Sequence, residues 1–198
     1  MRVGRFWALG LALVVLSVLV GTTFARSGAA STTVRWDIPS IDTSTTPPSA
    51  NPGGKASALT NNGLKITFRG TGTFVPGSPS KVTGGGTWRT FAPNGTKIAS
   101  GKYRVTRLLR WKKAPGKFPI ADNIGKKKNA SAGLAVLRIK YSDGKRGSLL
   151  LSCHLEGTRD SVFEGITATR GYIAFWNRRA PSDDPFVDAN RTLFHVRP

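Results

Sequence analysis

From Leu64 onward apolar and polar residues alternate, with Leu64, Ile66 and Phe68 on one side and Lys65, Thr67 and Arg69 on the other. Period two is the signature of a strand buried on one face. "GTGTFV" prolongs it past Gly70, where a pair of glycines lets a strand bend at a corner. "VTGGGTWRTF" (82–91) predicts the next strand, with Gly84 and Gly86 in phase with Trp88 and room on that face for a bulky neighbour. A phosphate loop is excluded there, because no helix start and no Lys-Ser/Thr pair follow the glycines. An Asn-Gly turn at Asn94 leads into "GKYRVTRLLRW" (101–111), where Tyr103 and Val105 oppose Lys102, Arg104 and Thr106. Arg107 would then fall inward unless a bulge precedes Leu108.

"LAVLRIKYSDGKRGSLLLSCHLEG" (134–157) joins two apolar runs through Asp143-Gly144, a hairpin signal. With Ser142 to Lys145 as the loop, Tyr141 faces Arg146, Leu137 faces Leu150, Val136 faces Leu151 and Leu134 faces Cys153. Both faces are then apolar away from the turn. The outer one, around Leu134, Val136, Leu149 and Leu151, requires cover by segment 39–63 or by a second subunit. "SVFEGITATRGYIAF" (161–175) reads as one long strand of mixed character on both sides, and "TLFHV" (192–196) as a short last strand. No stretch after the leader keeps a helical period. About eight strands with Gly-rich turns predict an all-β fold, a single antiparallel barrel with long loops, with a sandwich as the alternative.

The amino terminus reads differently. "MRVGR", "FWALGLALVVLSVLV" and "GTTFA" are a basic n-region, an apolar h-region and small residues, the pattern of a signal helix over 1–25 with cleavage after Ala25 or after Ala30. An uncleaved anchor is the alternative. The expectation is a secreted or extracytoplasmic protein in which 26–63 supplies a strand ("TVRWDI", 33–38) and a Pro/Ser/Thr-rich arm, and 64–198 forms the barrel domain. Cys153 stands alone, which excludes an intrachain disulfide and suits a small buried hydrophobe.

Charge narrows the partners. The chain has 30 Lys+Arg against 10 Asp+Glu; without Arg2 and Arg5 of the leader, 28 against 10 leave +18. Such a field draws polyanions over about 8 Å at physiological salt. The densest basic stretch in sequence is the loop carrying Lys112, Lys113, Lys117, Lys126, Lys127 and Lys128, the candidate site for an anionic polymer or surface. No nucleic-acid motif accompanies it, so specific nucleic-acid binding is not expected.

"GTGTF" (70–74) and "FEGITATRGYIAF" (163–175) resemble patterns of the allene oxide cyclase and dirigent β-barrel superfamily, through Gly70, Gly72, Phe74, Phe163, Gly165 and Gly171. The resemblance covers about a fifth of the chain. It implies an eight-stranded calycin-like barrel, often trimeric, holding a small or lipid-like ligand, and cyclase- or isomerase-like chemistry if the protein is an enzyme. It carries over no catalytic residue.

Titratable residues concentrate in "SCHLEGTRDSVFEG" (152–165). Cys153 and His154 are adjacent on a strand and point to opposite faces, so they form no nucleophile–base pair. His154 and Glu156 share a face, but His195 is the only other histidine, which is too few for a metal set; no metal or cofactor is expected. Glu164 and Arg170 share a parity and either orient a ligand inside the barrel or form salt bridges at its rim. Candidate ligand-lining residues are therefore Trp88, Tyr103, His154, Glu156, Glu164 and Arg170. Asn94, Asn129 and Asn190 sit in Asn-x-Ser/Thr sequons. Three readings follow: a barrel binding a small apolar or amphipathic ligand, ranked first; a cationic protein docking on a polyanion; and a self-associating dimer or trimer.

Overall fold

The computed structural model describes Met1 and residues 32–178 and 190–197. The rest of the leader, both cleavage points and most of the loop 177–191 lie outside the described residues.

Among the described residues fourteen strands carry the fold. The amino-terminal arm supplies β1 (Thr33–Asp37), β2 (Ser40–Asp42), β3 (Ser49–Asn51) and β4 (Ala56–Leu59). Then come β5 (Lys65–Val75), β6 (Ser78–Val82), β7 (Gly85–Phe91), β8 (Lys97–Ala114), β9 (Ala121–Asp122), β10 (Ala130–Tyr141) and β11 (Arg146–Cys153). The last are β12 (Gly165–Arg170), β13 (Ile173–Phe175) and β14 (Leu193–Arg197), and a single 3-10 turn at Lys127–Asn129 precedes β10. Among the described residues no helix is long and apolar enough to cross a membrane.

The all-β expectation stands; the closed eight-stranded barrel does not. A large antiparallel sheet of eleven strands runs β13-β12-β11-β10-β14-β1-β5-β7-β8, with β4 and β6 on β5. It coils until β8 pairs with β10. Closure into a simple barrel fails because β10 divides its partners: Ala130 and Ser131 pair with β14, while Gly133 onward pairs with β11. The branch β11-β12-β13 therefore continues as a flap, leaving β13, β4 and β6 at edges. A second sheet, β2-β3-β9, is small and includes one parallel pair.

The arm is not a separate unit. β1 lies between β14 and β5, with Val34 and Trp36 fully buried, and β4 pairs with β5. The boundary expected at residue 64 falls inside one sheet, because strands of three to five residues are too short to show a period among Pro and Ser.

Aromatic side chains fill the interior. Trp36, Phe68, Phe74, Trp88, Tyr141, Phe175 and Phe194 are all buried, and burying such rings is the main source of stability in a domain of this size. The bulky neighbour expected beside the β7 glycines is Tyr103: Gly70 and Gly86 are cross-strand partners, and a Cβ on Gly70 would sit 2.2 Å from the Tyr103 hydroxyl. Cys153 is buried, as expected of a small hydrophobe.

Two registers differ from the expectation. The Asp143-Gly144 turn has Gly144 at φ +87°, the Gly144 amide donating to Tyr141 O at 3.1 Å and the Tyr141 amide to Lys145 O at 2.9 Å. Lys140, not Tyr141, thus pairs with Arg146, and the whole ladder slips by one: Leu137 faces Leu149 and Val136 faces Leu150. A one-residue slip exchanges the faces of a strand. Leu149 and Leu151, expected on the outer oligomer face, are fully buried in the core; Leu150 joins Leu134 and Val136 outside, all three half-buried. The arm does not pair over them, being engaged with β5 and β9. Residues 161–175 are likewise not one strand but a hairpin, β12–β13, turning at Gly171 (φ +61°) and Tyr172.

Candidate functional site

The ligand candidates separate into two groups. Trp88, Tyr103 and Arg170 meet at one end of β12. The Arg170 guanidinium lies over the Trp88 ring at 4.2 Å and 5.8 Å from that of Tyr141, and pairs with Asp143 in the turn. Trp88 meets Tyr141 edge-on at 5.4 Å, and Phe68 meets Tyr103 edge-on at 5.1 Å. Trp88 is packed core sealed by the paired Arg170, while Tyr103 and Tyr141 border an open pocket of about 450 Å³ shared with Lys102, Arg104, Lys140 and Ser142. Burial pushes the phenols of Tyr103 and Tyr141 up, so both stay neutral; the Tyr141 hydroxyl donates to Thr169 O at 2.8 Å, while the buried Tyr103 hydroxyl has no hydrogen-bond partner among the described residues.

His154, Glu156 and Glu164 come together at the other end. They border a cleft of about 380 Å³ whose walls include Pro39, Ile41, Pro48, Phe118, Ile120 and Leu193. Glu164 is held by two amides, those of His154 and Thr192, each at 2.7 Å. Burial pushes its carboxyl up, to about 7, against the opposing pull of those hydrogen bonds and of Arg191. His154 Nδ1 lies 2.6 Å from Val162 O and must donate to it, which leaves Nε2 as the acceptor nitrogen. Elsewhere, His195 Nε2 and Asp122 Oδ2 form a buried pair at 2.7 Å; burial raises the Asp122 carboxyl, but His195 and the amides of Gly125 and Ile124 outweigh it and leave it lowered. Among the described residues no group of three His, Cys, Asp or Glu is placed to hold a metal.

The six lysines expected to bind polyanions are all exposed, but spread over the end of β8, the following loop and the 3-10 turn. Lys117 pairs through its backbone with Glu156, and Lys127 Nζ donates to Pro119 O at 3.3 Å.

A denser cationic site lies on the outer face of β8, β10 and β11. Strand alternation would send Arg104, Arg107 and Arg110 to different faces, since they are three apart. Two bulges prevent this: Thr106 and Leu109 are unpaired residues of β8, so Val105 pairs Ile139, Arg107 pairs Arg138, Leu108 pairs Leu137 and Arg110 pairs Val136. Val105 and Leu108 stay in the core while all three arginines face solvent. Cross-strand neighbours then carry like charge: Arg104 with Lys140, Lys140 with Arg146, and Arg107 with Arg138. These five line a groove of about 320 Å³ with Thr106 and Ile139 and no acidic residue. None makes an ion pair among the described residues. Like charges directly opposite one another destabilise a sheet.

In the sequence only Arg104 shows as the polar side of a strand; Arg107 falls inward without a bulge, Arg146 closes the hairpin turn, and Arg110, Arg138 and Lys140 carry no signal of their own. The available signal was the three-residue spacing of Arg104, Arg107 and Arg110, together with the bulge needed before Leu108. No protein-family model, no curated protein and no solved structure matches this chain.

Proposed function

We propose that the protein binds a polyanion through the outer face of β8, β10 and β11, acting outside the cytoplasm as its leader predicts. One observation carries this reading: five cations without an ion pair among the described residues, Arg104, Arg107, Arg138, Lys140 and Arg146, stand in like-charge register around one groove. The repulsion is relieved when an anion spans them, and arginine forks suit carboxylate, sulfate and phosphate alike. The binding is non-catalytic and needs no cofactor. Retention on an anionic polysaccharide column tests it. The triple variant Arg104→Gln/Arg107→Gln/Arg138→Gln is expected to elute at much lower salt than the wild type, and Lys126→Gln/Lys127→Gln/Lys128→Gln nearly with it; equal shifts in the two variants would overturn the assignment.

A second reading keeps the apolar ligand, moved from the barrel interior to the cleft beside Glu164. Its support is the apolar lining with one fixed carboxyl, and it retains the allene oxide cyclase and dirigent resemblance as the source of cyclase-like chemistry. Native mass spectrometry of the purified protein is expected to show a small apolar adduct, lost in Ile41→Asp; a bare chain mass in the wild type would remove this reading.

A further inference from the structure

We infer that the polyanion is a glycan, an acidic polysaccharide laid across the strands from β13 to β8. The inference rests on the polyanion reading and adds the chemistry of the backbone between the charges.

The outer face has a second part beyond the arginines. Tyr172 and Trp176 are large exposed aromatics, at 108% and 63%, whereas Phe175 between them is buried. Tyr172 stands in the turn before β13 and Trp176 follows it, while Ala174 lies on the face opposite Phe175, so two exposed rings flank a notch at the small Ala174, with the exposed Ile173 (39%) beside them. Ala174 pairs with Thr169 on β12, and Thr169 meets Ser148 on β11, whose amide donates to Thr169 Oγ1 at 2.9 Å with the two hydroxyls 3.1 Å apart. Ser148 pairs with Arg138 on β10, and Arg138 with Arg107 on β8. A single row thus crosses five strands, from aromatic notch through two hydroxyls to two arginines. At about 4.8 Å per strand it is about 19 Å long.

Each part of that row matches one feature of an acidic sugar chain. Aromatic rings stack on the apolar C–H faces of sugar rings, hydroxyls exchange hydrogen bonds with hydroxyls, and arginines hold the acid groups bidentately. A ring-free polyanion would use only the arginines. An anionic bilayer fits less well, because the hydroxyls of Thr169 and Ser148 stand between the aromatics and the arginines and match sugar hydroxyls rather than acyl chains.

Affinities for polygalacturonate, for polyphosphate of matched charge and for phosphatidylglycerol vesicles decide it. Both aromatics are exposed, so their truncation should leave the melting temperature in place. The wild type is expected to bind polygalacturonate more tightly than polyphosphate, and Trp176→Ala and Tyr172→Ala each to lose about tenfold on polygalacturonate with under twofold change on polyphosphate. Trp176 fluorescence should respond to the sugar polymer and not to polyphosphate. If the aromatic variants bind polygalacturonate as the wild type does, or lose both polymers equally, the glycan inference is overturned while the polyanion reading stands. Loss confined to vesicles would make the partner a lipid surface. If Arg107→Gln/Arg138→Gln changes none of the three, the polyanion reading itself falls, and the glycan with it.

Discussion

The two faces of the β10–β11–β12 region handle charge in opposite ways. On the inner side the buried ionisable groups have close partners: Arg170 lies against Asp143 and the Trp88 ring, and Glu164 accepts from the amides of His154 and Thr192 while burial raises its carboxyl towards the neutral form. On the outer side Arg104, Arg107, Arg138, Lys140 and Arg146 share a groove that no acidic side chain lines. Desolvation makes an unmatched charge inside too costly to persist, whereas water screens the outer cations enough for the fold to tolerate them. What tolerance does not explain is their concentration, which is the difference the proposed polyanion site accounts for.

The largest effect expected from breaking the comparison is on the inner side. Arg170→Ala removes the cation from Trp88, leaves Asp143 without it and opens a gap over the aromatic end of the core; a loss of about 3 kcal/mol in unfolding free energy is expected by chemical denaturation. A loss below about 0.5 kcal/mol would show that Arg170 is a surface ornament rather than a seal.

Next comes Glu164. Its folded-state carboxyl is raised to about 7 from an ordinary 4.5, so the neutral form is the one the fold prefers. Its contribution is fully present below about pH 4.5 and is lost as the pH rises through about 7, about 3 kcal/mol in all. Glu164→Gln should flatten this part of the stability profile between pH 5 and 8 and cost about 1 kcal/mol at pH 5, because the glutamine NH2 cannot accept and the amides of His154 and Thr192 bond to the two different oxygens of Glu164. An unchanged slope in the variant would place the titration elsewhere.

On the outer side the sign reverses. Arg107→Gln/Arg138→Gln relieves a like-charge pair and should stabilise the fold by up to about 1 kcal/mol at low salt, an advantage that added sulfate removes by raising the wild-type melting temperature alone. The smallest effect is that of Lys126→Gln/Lys127→Gln/Lys128→Gln, expected within about 0.5 kcal/mol of the wild type, because these side chains are exposed and separate. A larger shift there would return the lysine loop to the candidate site.

The lysine loop shows why the site was only partly legible. Six lysines within 17 residues look like the strongest basic patch in the sequence, yet loop geometry spreads them out. Arg138 and Arg107 are 31 residues apart and directly paired. Nothing local links them; the link is a register, and the register depends on which residues bulge. The same holds for Leu149 and Leu151, whose face was inverted by a single extra residue at the Gly144 turn.

Alternation alone determined that the described residues are all-β and that Ile66, Phe68, Tyr103 and Val105 are core, because side-chain direction in a strand is a local consequence of backbone geometry; it failed for Glu164 and Arg170, since Glu164 precedes β12 and lies at the other end from Arg170. Tertiary structure decided the rest. Whether β10 closes a barrel or divides between β11 and β14, where β8 bulges, and therefore which cations share a groove, are set by long-range pairing energies that no single segment contains.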